Sequence, residues 1–133
     1  MQFSEFREQT LAAVPGGEET ERRALRGRER DDFYAFGFVS AVLAPAYLAA
    51  LGGDGDLELL AGVLERGLAQ GDDEVVNALA MRIVERHLCR DEALLAAALA
   101  VGGPATRLVA GKITALIDEA DARAAAERLA RCG

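Results

Sequence analysis

A chain of 133 residues with a formal net charge of −7 and a pI near 4.7 repels phosphate backbones and anionic lipid on average, so nucleic acid and membrane surfaces are disfavoured as partners. The length suffices for a single helical domain over residues 1–133 that buries most of its apolar surface without disulfides or a structural metal. With 51% hydrophobic residues, no Trp, an apolar share dominated by Ala and Leu, and no alternating β-branched run, the composition predicts an all-α fold.

The first helix is expected from about Ser4 to Val14, stopped by Pro15-Gly16-Gly17. Residues 18–30, EETERRALRGRER, are nearly all charged and read as a loose helix or a charged linker, with only Ala24 and Leu25 as anchors. Residues 33–51 then run nineteen residues without a charge, which is long enough for a membrane span. Acidic flanks (Asp31, Asp32, Asp54, Asp56) and a high Ala content predict a buried central helix over 32–51 instead. Pro45 should kink or divide it, because proline has no N–H and its ring meets the carbonyl four residues back.

Gly52-Gly53 closes that segment, and Asp54 or Asp56 is placed to cap a helix running to about Gln70. Its apolar stripe is Leu57, Leu60, Ala61, Leu64 and Leu68, with Glu58 and Glu65 on the opposite face. After Gly71, Asp72, Asp73 and Glu74 put negative charge at the start of the next helix, whose stripe is Val76, Leu79, Ala80, Ile83 and Leu88. The short link makes the two helices an antiparallel hairpin. A shift of twenty pairs Leu59 with Leu79, Val63 with Ile83, Leu64 with Val84, Glu65 with Glu85, Arg66 with Arg86 and Leu68 with Leu88. Internal duplication and the chance agreement of two amphipathic helices both produce that pattern.

Asp91-Glu92 opens a further helix, Gly102-Gly103-Pro104 ends it and starts another, and a short C-terminal helix with Leu129 and an Arg-rich end completes the chain. Six or seven helices in successive antiparallel hairpins follow, as an irregular bundle or a short HEAT-like α-solenoid.

Little here suits catalysis, and no catalytic, cofactor-binding or metal-ligating residue is assigned. His87, the one histidine, lies two residues from Cys89, where helical side chains diverge, and zinc would need further soft ligands beyond Cys132. The two cysteines make no disulfide framework and MQFSEFREQT lacks the parts of a secretory signal, so a cytoplasmic protein with free thiols is expected. GDGDLE alternates Asp54 and Asp56 but lacks the other oxygen ligands of a calcium loop. No dinucleotide or Walker loop occurs.

What remains is surface. From Asp31 to Glu74 the sequence has nine acids against one base, Arg66, and Glu58, Glu65, Asp72, Asp73 and Glu74 are the candidate partner-binding residues, forming one acidic ridge across the hairpin. Asn77, mid-helix, joins them as a residue whose amide suits a loop or a partner.

The segments LLAGVLERGL, GDDEVVNALAMRIVERHL and GGPATR resemble, over about Phe33 to Lys112, a family of small all-helical bacterial proteins, some of them similar to immunity proteins of polymorphic toxin systems. That resemblance implies a protein without catalysis, in which Asn77, Glu85, Thr106 and Arg107 fasten helices or touch a partner. The leading expectation is therefore an interaction module, in particular an acidic immunity protein that masks a basic toxin. The alternatives are a helical scaffold binding a peptide or helix in an apolar groove, and a helical domain with a small-molecule pocket near Phe33, Tyr34, Phe36 and Tyr47.

Overall fold

The computed structural model describes residues 1–26 and 35–132, and these form seven helices and no strand. They are α1 (Phe3–Ala13), α2 (Gly17–Leu25), α3 (residues 35–51), α4 (Leu57–Gln70), α5 (residues 73–85), α6 (Glu92–Val101) and α7 (Pro104–Cys132). A single turn of 3-10 helix, Leu88–Arg90, joins α5 to α6.

Helix α3 is the buried centre, as its uncharged sequence predicts. Phe38, Val39, Val42, Leu43 and Tyr47 are all buried in it, and burial pushes the Tyr47 phenol up to about 12. Pro45, expected to kink or divide the helix, is instead accommodated within a continuous one. The helix opens into a π turn, Val39–Leu43, in which the Ala44 N–H reaches back to the Val39 carbonyl. That wider turn makes room for the proline ring and lets Ala44–Leu51 continue. No helix among the described residues is long and apolar enough to cross a membrane.

The charged segment after α1 is a helix through Leu25 rather than a linker, and Gly27–Arg30 lie outside the described residues. Its anchor is polar. Glu21 is buried and takes both Arg7 nitrogens, Nε on Oε2 and an Nη on Oε1, each at 2.5 Å. A two-point charged bond of this kind is among the stronger surface-to-core fastenings and explains order where apolar anchors are few.

Helices α4 and α5 pack as the predicted hairpin, each opened by its own aspartate. Asp56 Oδ1 accepts from the Leu59 N–H at 3.1 Å and Asp72 Oδ1 from the Val75 N–H at 3.0 Å. The twenty-residue pairing holds for burial at Val63 and Ile83, Leu64 and Val84, and Leu68 and Leu88, but Leu59 is exposed where Leu79 is buried. The helices also differ in form. Helix α4 is regular, whereas α5 passes at Ala80–Glu85 into a second π turn that packs against the π turn of α3.

Helix α4 touches α1, α3, α5, α6 and α7, so helices far apart in sequence share one contiguous core. A solenoid repeat contacts only its neighbours, and the arrangement is accordingly an irregular bundle. At its tightest crossing, a methyl group on Gly67 would lie 2.5 Å from Leu79 Cδ1 and 2.8 Å from Phe6 Cε2.

The C-terminus corrects the sequence reading. One helix of 29 residues, α7, replaces two shorter ones. Between Ile117 and Ala126 there is no Gly, Pro or capping serine to stop it, and its Ala, Glu and Arg residues favour helix. Gly111 sits inside it, and a methyl group added there would meet nothing within 4 Å. Two substitutions therefore have opposite signs: Gly67→Ala lowers stability by about 1–3 kcal/mol through overpacking, and Gly111→Ala raises it by up to about 1 kcal/mol through helix propensity. Urea unfolding of both variants checks this pair.

Candidate functional site

Helix α7 begins with a deficit of hydrogen-bond partners. Gly103, at its N-cap, has no side chain to accept from the first turn, and Pro104 has no N–H, which leaves the Ala105 and Thr106 N–H groups as orphan donors. A side chain from another helix meets them. Glu65, mid-way along α4, accepts from the Ala105 N–H on Oε2 at 2.9 Å and from the Thr106 N–H on Oε1 at 2.9 Å, and the Thr106 hydroxyl donates to Oε1 at 2.8 Å.

Gly103 leaves room for this contact: a Cβ there would stand 2.6 Å from the Glu65 carboxyl carbon and push the carboxylate aside. Burial pushes the Glu65 carboxyl up, but the bonds from the Thr106 and Ala105 backbones, the Thr106 hydroxyl and the Gly103 backbone outweigh it. The group is held below its ordinary 4.5. Thr106 itself is only 1% exposed. Glu65 thus caps α7 in place of a residue of α7.

This corrects the acidic ridge. Glu65 faces α7 and leaves the solvent-facing set, because the orphan amides and the positive end of the α7 dipole draw its carboxylate inward. Glu58, Asp72, Asp73, Glu74 and Asn77 are exposed. Of these, Asp72 also caps α5, and its N–H donates to the Met1 carbonyl at 2.8 Å. Glu58 and Asp72 stand near opposite ends of α4, about 20 Å apart at 1.5 Å per residue, so Glu58 stands apart from the cluster Asp72, Asp73 and Glu74 and there is no continuous ridge.

Of the positions that the family resemblance marks, Thr106 fastens helices, and Arg107 does so too: its guanidinium donates to the Leu99 carbonyl at 3.2 Å, tying the end of α6 to α7. Cys89 and His87 look in different directions, as their spacing predicts. Cys89 Sγ meets the Ala110 carbonyl at 3.7 Å and the Thr114 hydroxyl at 3.4 Å on α7, while His87 lines a hollow beside Pro45. Of the residues named for a small-molecule pocket, Tyr47 is sealed in the core, Phe36 lies under the Arg82 guanidinium, and Phe33 and Tyr34 lie outside the described residues. Among the described residues no three His, Cys, Asp or Glu side chains come together as a metal cluster.

What the capped helix creates is a groove. Between α6 and α7 lies an open, mainly apolar hollow of about 770 Å³ walled by Leu95, Leu99, Ala100, Ala110, Gly111 and Ala115. Arg107 stands at one end and Asp118 at the other, eleven residues on, or about 16 Å along α7. Beyond it no residue from Asp118 to Cys132 is buried, and Leu116 and Leu129 are 64% and 74% exposed. The sequence hides this groove because small residues at 100, 110, 111 and 115 read only as helix formers, and their shared face appears once the Glu65 cap sets the direction of α7. No protein-family model, curated protein or solved structure matches the chain.

The cap sets a pH dependence. A carboxyl whose folded pKa is depressed stabilises the fold fully above its unfolded value of 4.5, and the contribution is lost as pH falls through the folded value. Glu65→Gln is expected to be less stable than the parent by about 1 kcal/mol at neutral pH, with the gap closing as pH drops below 4.5. Gly103→Ala, which crowds the carboxylate, is expected to show the same closing gap. Thermal unfolding of the three proteins across pH 3 to 7, roughly the span over which a carboxyl titrates, checks both.

Proposed function

We propose that this protein acts by binding another protein, and that the groove between α6 and α7 receives an amphipathic helix of that partner. The observation that carries the reading is the groove's lining: a mainly apolar floor about three helical turns long, broken only by Thr114, with one charge at each end. The charges also set a direction. Asp118 suits the positive N-terminal end of a docked helix and Arg107 its negative C-terminal end, so the partner helix runs antiparallel to α7.

The net charge of −7 and the exposed Glu58, Asp72, Asp73 and Glu74 favour a partner with a basic surface, whose approach they accelerate. An acidic immunity protein that holds a basic toxin is the particular case to which the acidic balance and the family resemblance lean. A cytoplasmic setting fits the free thiols of Cys89 and Cys132.

A photo-crosslinking residue placed at Ala115, and in a second protein at Asp73, distinguishes the groove from the acidic cluster. Crosslinks in source-cell lysate are expected from position 115, to a peptide with apolar residues three and four apart, and Leu99→Glu is expected to abolish them. Crosslinks from position 73 alone, unaffected by Leu99→Glu, contradict the groove reading and return the function to the acidic surface.

A further inference from the structure

Arg82, Arg86 and Arg90 line one hollow of about 390 Å³ at the C-terminal end of α5, together with Met81 and Glu85. In a chain of net charge −7, none of the three forms an ion pair among the described residues. The Arg82 guanidinium carbon lies 5.6 Å from the centre of the Phe36 ring, which holds it in place by cation–π attraction. Its Nε is buried without a hydrogen-bond partner.

On the other side of Arg86 a second hollow of about 270 Å³ is walled by Ala44, Pro45, Leu48 and His87, and Ser40 lines it with a buried hydroxyl that also lacks a partner. Two buried polar groups without partners thus flank one exposed arginine. Both belong to the π turns that pack against each other, Ser40 to that of α3 and Arg82 to that of α5. Widened turns of this kind recur at functional sites, and unsatisfied buried groups are costly enough to need a cause.

We infer that this is a binding site for a phosphate monoester, with the phosphate among the three arginines and its organic part in the hollow beyond Arg86. The charges match: three guanidinium groups against the Glu85 carboxylate leave two positive charges, which a dianionic phosphate neutralises. Guanidinium forks bond phosphate oxygens in pairs, and the fixed Arg82 provides one such fork at little entropic cost. The apolar walls of Ala44, Pro45 and Leu48 suit a carbon skeleton, which would lie over Ser40. This site is separate from the groove and does not rest on the partner reading.

Titration of the full chain with inorganic phosphate and with phenyl phosphate, at ionic strength matched with sodium chloride and followed by amide NMR, tests it. Both probes are expected to move Arg82 and Arg86, and phenyl phosphate is expected also to move Ser40 and Leu48 and to bind several-fold more tightly. Arg86→Gln and Arg90→Gln, both at exposed positions, are each expected to weaken binding about tenfold or more, and Arg23→Gln on α2 to leave it unchanged. Shifts that follow sodium chloride equally, or that are the same at Arg23 as at Arg86, overturn the site. Equal affinity for the two probes with no movement at Ser40 overturns its assignment to an ester and leaves free phosphate as the ligand.

Discussion

The arrangement of this bundle turns on a carboxylate that serves a helix other than its own. The start of α7 offers two backbone N–H groups and no side chain to satisfy them, and Glu65 of α4 takes both. Because a carboxylate has two oxygens in fixed geometry, the bond fixes the direction of α7 as well as its position. The Thr106 hydroxyl adds a third bond to the same group, and Gly103 lets the backbone come close enough to make it. The groove wall that α7 provides starts from that first turn, and the Arg107 bond to the Leu99 carbonyl and the burial of Ala110 hold it farther along.

The remainder of the core answers to α3. A helix without charges must be covered on every side, and α2, α4, α5 and α6 cover it. Its proline forces a π turn, and the matching π turn of α5 lies against it. The two irregular turns together place Ser40, Arg82 and Arg86 around the hollows at that end of the bundle. The groove and the arginine hollows therefore arise from two different departures from regular helix packing: a cap borrowed across the bundle, and a pair of widened turns.

The fold class and most helix positions were legible because they depend on local signals. Pro15, Gly52 and Gly71 end helices, Asp56, Asp72 and Asp91 open them, and the apolar stripe of α4 is buried at Leu60, Ala61, Leu64 and Leu68 as its spacing requires. The site was less legible because its signals are long-range. Glu65 reads as a solvent-facing glutamate opposite a leucine stripe, and nothing local marks the amides forty residues later that claim it. Glu21 likewise reads as one acid among many until Arg7 is brought opposite. The separate short C-terminal helix expected around Leu129 is part of α7, since no Gly or Pro between Ile117 and Ala126 stops the helix. The GGPATR turn, singled out as a motif, does carry the anchoring contact, through Gly103 and Thr106.

The most direct measurement is a carboxyl-carbon NMR titration of Glu65 in the intact chain, read together with the Ala105 and Thr106 amide protons. A carboxylate capping α7 titrates below 4.5, and both amide protons move through the same transition as their acceptor is lost. A Glu65 that titrates at 4.5 or above while the two amides stay silent contradicts the cap, and with it the placement of α7 and the groove.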